Sequence, residues 1–261
     1  MTALVRAEFK KIASTRLWWG LLIGALVFVA LQSGVTAGFS GMDAGAGQTM
    51  PGPETPEAIR SIYPLGMFTG TYMFALVLGI TGMTGEYRYQ TITSTFLVSP
   101  RRARIVGAKI LAHAVMGVVY AIAGLIVAFV VGGVVLAIRG YGLGLGADRL
   151  WPTVALSVVA IAVWTVVGLG VGTLIRSQIV AIVVGILFTF LIEPLVTVVA
   201  SATDTDWIAK WLPSNASSAL MSPGDTMLDY LDWWAGGLVL LGYGLVLAGI
   251  GVWLSVRRDV S

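Results

Sequence analysis

The stretch that decides the fold class is residues 110–138, which read ILAHAVMGVVYAIAGLIVAFVVGGVVLAI. Apart from tyrosine, its one ionisable side chain is His113. A bilayer core about 30 Å thick is crossed by roughly 20 apolar residues in an α-helix. This stretch is therefore long enough to span a membrane as a helix.

Five further stretches have the same character, at residues 17–38, 64–84, 151–175, 179–200 and 234–256. Of the 261 residues, 57% are hydrophobic and 11% are charged. Ordinary soluble domains have about 45–50% apolar and about 25% charged residues. The sequence therefore predicts an all-α integral membrane protein with six transmembrane helices in a single domain, residues 1–261, and excludes a soluble enzyme.

Basic residues are distributed unevenly between the two sides of these spans. Most Lys and Arg residues lie before the first span, between the second and third, between the fourth and fifth, or after the sixth. The other side holds only Arg60, Arg139, Arg149 and Lys210. Because positive charge is concentrated in cytoplasmic loops, we expect both termini in the cytoplasm and the chain in the cytoplasmic (inner) membrane.

Residues 1–16 are too polar to cross the membrane, but they fit a helix that lies in the inner headgroup layer. Apolar side chains recur every three to four residues, and charged side chains fill the positions between them. The residues that define this predicted interfacial helix are Glu8, Phe9, Lys10, Lys11 and Arg16. A simple basic anchor that orients the first span fits the same residues.

The connection between the second and third spans, residues 85–109, is longer than a turn of the chain requires. Its middle is moderately apolar and includes Phe96 and Leu97, and Pro100 separates it from a basic run that ends at Lys109. Such a segment suits either the docking of a protein partner or the binding of anionic lipid. The residues leave both readings open.

The loops on the opposite side are short. Residues 39–63 are rich in Gly and Pro, so we expect little structure there. Residues 201–232 mix Trp with charge, which favours short helices along the outer interface. Neither loop is long enough to hold a nucleotide-binding domain.

Two groups of residues resemble the ABC-2 type transporter permeases. The first is A-E-F-K-K at residues 7–11, which is similar to the opening of that family. The second comprises E-Y-R-Y-Q-T at 86–91, L-V-S-P at 97–100, Arg102, Arg104 and A-K at 108–109. The number of spans and the predicted placement of both termini are also similar to that family.

The resemblance implies a transporter built from separate subunits. The N-terminal helix would be the connecting helix, and part of residues 91–99 would form a coupling helix seated in a cytoplasmic ABC ATPase. Two permease chains, expected as a homodimer, would work with two ATPase chains that bind ATP and Mg, and this chain would hold no cofactor or metal. The residues it assigns to ATPase coupling are Glu86, Arg88, Thr91, Ile92, Phe96, Leu97, Pro100, Arg101, Arg102 and Arg104.

Two ionisable side chains other than tyrosine fall inside the predicted spans. A carboxyl group at the depth of Glu193 in the bilayer is energetically costly. Pro194 should bend or end the fifth helix. Glu193 either lines a translocation path or has a structural role, in which it pairs with Arg139 or Lys210 or reaches the headgroups. We expect His113 to pack at the inner end of the third span rather than to relay protons.

These features predict the permease subunit of an ATP-driven exporter. Its cargo would be apolar or amphipathic, such as a drug, a lipid-like molecule or a natural product, because the spans offer few charges. No P-loop or catalytic motif occurs, so we expect no catalytic residue, and the net charge of +3 reflects membrane orientation rather than nucleic-acid binding. The alternatives are a carrier or channel that works without ATP and a non-transporting membrane protein that binds a partner.

Overall fold

The computed structural model describes residues 2–42, 50–89, 102–222 and 231–258, without the side chains of 102–103 and 252–258. Regular structure in these residues is helical throughout, and two short segments, Ser61–Leu65 and Phe188–Ile192, are π-helical. The α-helices are α1 (Thr2–Ser14), α2 (Leu17–Phe39), α3 (Pro56–Arg60), α4 (Gly66–Arg88), α5 (Arg102–Ile138), α6 (Leu150–Leu174), α7 (Gln178–Leu187), α8 (Glu193–Ala202), α9 (Asp206–Ala209), α10 (Pro213–Met221) and α11 (Trp233–Arg258).

Six helical stretches of the described chain are long and apolar enough to cross a membrane. They are Leu17–Phe39, Pro56–Arg88, Arg104–Ile138, Leu150–Leu174, Gln178–Ala202 and Trp233–Gly251. The predicted fold class, an all-α membrane protein with six spans, is confirmed.

The second span begins earlier than the sequence indicated, at Pro56 rather than residue 64. Thr55 caps it, because its Oγ1 accepts a hydrogen bond from the backbone N–H of Ala58 at 3.3 Å. Pro64 lies in the π-helical segment that joins α3 to α4. The wider π turn accommodates a proline without ending the helix, so the expectation of little structure in residues 39–63 is wrong for their helical end.

The fifth span also contains a π-helical segment next to a proline. The segment Phe188–Ile192 is π-helical, and Pro194 occupies the first turn of α8 directly after it. An N–H is not needed in the first turn of a helix. The bend or end expected at Pro194 therefore takes the form of a π segment inside a continuous span.

α4 and α6 lie at the centre of the bundle, and α4 packs against α2, α5 and α6. A Cβ at Gly168 would lie 2.1 Å from the carbonyl oxygen of Leu76, and one at Gly79 would lie 2.0 Å from that of Thr165. Only glycine permits such close contact between the backbones of α4 and α6.

The bundle has two distinct ends. At the first, which we call the basic end, α1 meets the end of α4 and the start of α5. At the opposite end, Arg139 fastens α5 to the end of α2, donating to the carbonyl oxygen of Ala37 at 2.6 Å and to Ser40 Oγ and O at 2.9 Å. The pairing of Arg139 with Glu193, which is one of the alternatives that the sequence leaves open, is therefore not formed.

Candidate functional site

The first helix lies against α5 at the basic end, as its amphipathic pattern permits. Phe9 and Ile12 are half-buried and pack against the main hydrophobic core. Lys10 and Arg16 are exposed. α1 is thus a separate helix joined to α2 by a short bend, and its apolar face is covered by the ends of the spans.

Four charged side chains form what we call the ionic cluster: Glu8, Lys11, Glu86 and Lys109. Lys109 Nζ lies 2.7 Å from Glu8 Oε2 and 2.8 Å from Glu86 Oε1. Lys11 Nζ lies 2.9 Å from Glu8 Oε1 and 2.8 Å from Glu86 Oε1. Each lysine therefore bridges both carboxylates, and the cluster joins α1 to the last turn of α4 and the first turns of α5.

The cluster is buried more deeply on one side than on the other. The side chain of Lys109 is 3% exposed, whereas that of Lys11 is 45% exposed. A charge taken out of water is tolerated when it is paired and hydrogen-bonded. Lys109 meets this condition through the two carboxylates and a third acceptor, the carbonyl oxygen of Gly82 at 3.4 Å.

The pKa shifts of Glu8 and Lys11 agree with mutual stabilisation of the carboxylates and ammonium groups in the cluster. Burial by itself raises the pKa of the Glu8 carboxyl, but the nearby ammonium groups of Lys109 and Lys11 outweigh it and hold that pKa below its usual value. Burial lowers the pKa of Lys11, but hydrogen bonds to Glu86 and Glu8 outweigh it, so the net pKa is raised. Both shifts favour the ionised forms.

Two further contacts tie the end of α4 to the start of α7. Arg88 Nη1 donates to Gln178 Oε1 at 3.3 Å. The guanidinium carbon of Arg176 lies 5.8 Å from the centre of the Tyr87 ring, which is within the range of a cation–π contact.

The predicted coupling residues divide into three groups. Glu86 and Arg88 lie in the last turn of α4, and Glu86 belongs to the ionic cluster. Arg102 and Arg104 lie in the first turn of α5, where Arg104 is exposed. Residues 90–101, which hold the remaining predicted coupling residues, lie outside the described part of the chain; these residues are Thr91, Ile92, Phe96, Leu97, Pro100 and Arg101.

The family model described as ABC-2 family transporter protein matches residues 4–192. The chain belongs to the ABC-2 transporter family. The matched region of this ABC-2 protein runs from α1 through most of the fifth span, so it contains every residue of the ionic cluster. Among curated proteins, none matches the chain.

Three of the four cluster residues of this ABC-2 protein stand out in the sequence for other reasons. The amphipathic pattern assigns Glu8 and Lys11 to an interfacial helix, the family resemblance assigns Glu86 to ATPase coupling, and Lys109 occurs only within a motif. Gln178 was missed, because an uncharged side chain at the start of a span carries no signal of its own.

Glu193 of the ABC-2 protein lies far from this cluster, in the first turn of α8. Its side chain is buried, and Oε2 accepts a hydrogen bond from the backbone N–H of Ser214 at 2.7 Å. Oε1 has no hydrogen-bond partner within the described residues. Glu193 thus holds α10 against the fifth span, and its role in a translocation path stays a prediction.

His113 is buried one turn after Lys109, as the packing interpretation expected. Its Nδ1 lies 2.9 Å from the carbonyl oxygen of Lys109. The ring occupies the space above Gly82, where a Cβ would lie 1.9 Å from Nε2.

Proposed function

We propose that the chain is the permease subunit of an ATP-driven exporter and that it works as a homodimer with a separate ABC ATPase. Its cargo would be apolar or amphipathic. ATP and Mg would be bound by the ATPase, in the cytoplasm. Membership of the ABC-2 family supports the transporter class. The ATPase partner, the homodimer, the direction of transport and the class of cargo are proposed.

The observation that carries the proposal is the position of the ionic cluster. The segment proposed to dock the ATPase, residues 90–101, is flanked by the end of α4 and the start of α5. Glu86 and Lys109 lie on these two flanks, and both are bound to α1. A displacement of the segment by the ATPase would therefore move α1, α4 and α5 together rather than one helix end alone.

The packing of α4 would carry this displacement into the bundle. α4 lies with α6 at the centre of the bundle, and Gly79 of α4 and Gly168 of α6 bring the two backbones together with no intervening side chain. Closely packed interfaces transmit a shift as a rigid body because they have little room to deform. Tilting of the spans about this contact would alternate the access of the translocation path.

The docking of the ATPase is tested with paired substitutions on the two sides of the membrane. We expect F96D/L97D to remove ATP-hydrolysing activity from the purified permease, because two charges would be introduced into an apolar docking segment. The matched control is M50D/L145D, which places the same two charges at exposed apolar positions of the opposite side. Both variants should insert in the membrane in normal amounts.

Co-purified activity that is unchanged in F96D/L97D would contradict the coupling assignment. A chain that never co-purifies with ATPase activity, even in the wild type, would favour an ATP-independent carrier or a non-transporting protein.

A further inference from the structure

A cavity of about 370 Å³ lies at the basic end between α1, the start of α2, and the inner parts of α4 and α5. This volume falls within the range of about 300–1,000 Å³ typical of small-molecule sites. We call it the basic-end cavity. Its polar lining includes the four residues of the ionic cluster, Thr81 and His113, and its apolar lining includes Ile12, Leu17, Trp18 and Leu78.

The hydrogen-bond donors of the ionic cluster and of Thr81 are already engaged. Lys109 uses all three of its N–H groups, on Glu8, Glu86 and the carbonyl oxygen of Gly82. Lys11 donates to both carboxylates. The hydroxyl of Thr81 donates to the carbonyl oxygen of Leu78 within its own helix.

Hydrogen-bond acceptors, in contrast, are in surplus. A carboxylate offers about four lone-pair sites, and Glu8 accepts two of the four contacts from the lysines while Glu86 accepts the other two. His113 does not add to these acceptors, because its Nε2 lies against Gly82, where a Cβ would be 1.9 Å away. A headgroup that binds against the ionic cluster must therefore bring hydrogen-bond donors.

Charge balance restricts the ligand further. The cluster contains two ammonium groups and two carboxylates, so its net charge is zero. A cationic or anionic headgroup would add a charge with no counter-ion in a largely buried site, which is unfavourable. Hydroxyl groups donate hydrogen bonds without adding a charge.

The entrance of the cavity suits an apolar chain. Leu17 is 43% exposed and Tyr89 is 68% exposed at its rim. Trp18 lines the cavity at the start of the first span, where aromatic residues mark the interface between water and bilayer. A molecule with its polar end at the ionic cluster would lie with its chain toward the inner ends of the spans.

We propose that the basic-end cavity binds an uncharged amphiphile whose headgroup carries hydroxyl groups. The hydroxyls donate to the unused lone pairs of Glu8 and Glu86, and the chain packs against Leu78 and Trp18. The proposal concerns binding, so it is independent of ATP-driven transport and of the identity of the ATPase.

The experiment uses the full chain in phosphatidylcholine nanodiscs and three probes with the same diazirine-bearing octyl chain. One probe has a glucoside headgroup, the second a sulfate and the third a trimethylammonium group. We expect the glucoside to label peptides from the start of α2 and the inner part of α4, and unlabelled octyl glucoside to compete. The two charged probes should label these peptides about tenfold less. Equal labelling by all three would overturn the proposal.

A matched pair of substitutions at Thr81 tests the position of the ligand. T81V keeps the side-chain volume and removes only a hydroxyl that serves its own helix, so labelling should persist. T81L extends into the cavity and should abolish labelling. Equal labelling of T81L and T81V would overturn the proposal.

Thermal unfolding of both variants without probe identifies any variant that does not fold. The comparison of the three probes on the wild-type chain remains decisive if T81L is lost.

Discussion

Removal of the charge on Lys109 tests the ionic cluster most severely. In K109M, an ammonium group whose side chain is 3% exposed is replaced by an apolar chain of similar length. Glu8 and Glu86 would then share only Lys11, whose side chain is 45% exposed. Two carboxylates would remain at the junction of α1, α4 and α5 with one partly solvated counter-ion.

The expected loss follows from the burial of each lysine. Removing one partner of a buried ion pair costs about 3–5 kcal/mol, whereas an exposed pair contributes about 0.2–1 kcal/mol. We therefore expect K109M to lower the free energy of unfolding by about 3 kcal/mol or more, and K11M by about 1 kcal/mol or less. The matched control is K10M, which removes an exposed lysine from the same helix.

Reversible denaturant unfolding in mixed micelles measures these differences. A second variant, K109M/E8Q, completes a double-mutant cycle, and the two changes should be less than additive because they remove the same contact. A K109M protein that is as stable as K10M would refute the reasoning. So would full additivity in the cycle, since independent sites give that result.

Three further predictions concern other parts of the chain. The pKa of Glu8 is lowered in the folded protein, so ionised Glu8 stabilises the docking of α1 fully above its ordinary pKa of 4.5, and this contribution is lost as the pH falls through the lowered pKa. The pKa of Lys11 is raised, so its charge stabilises the docking fully below its ordinary pKa of 10.5, and this contribution is lost as the pH rises through the raised pKa. Unfolding measured against pH should thus show a plateau between two losses, and a flat profile in the acid range would contradict the assignment of Glu8. Gly168→Ala should cost about 1–3 kcal/mol by overpacking, while Gly20→Ala, with no neighbour within 4 Å, should be neutral or slightly stabilising; equal thermal midpoints would exclude the close contact of α4 and α6. E193Q keeps an acceptor for the N–H at the start of α10 and should unfold like the wild type, whereas E193L should lose about 1–3 kcal/mol; equal unfolding of the two would show that this hydrogen bond contributes nothing.

The helices could be read from the sequence because hydrophobic length alone specifies them. The start of the second span could not, because Pro64 and the glycine- and proline-rich residues before it are typical of a loop. What decides its position is the cap at Thr55 and the π turn that accommodates Pro64. Neither feature has a pattern that distinguishes it from an ordinary turn.

The ionic cluster shows a second limit of sequence reasoning. Glu8, Glu86 and Lys109 each stood out within a motif, but they lie on three helices that are distant in sequence. Local spacing determines which face of one helix a residue occupies and says nothing about which helix lies opposite. The contact appears only when the packing of α1, α4 and α5 is known.

The most direct test of the transporter account is the composition of the complex purified in mild detergent from the native host. The account predicts one soluble protein with a P-loop for each permease chain, identified by mass spectrometry, and ATP hydrolysis by the purified complex. A permease that reproducibly purifies alone, or with partners that lack a P-loop, would contradict the account.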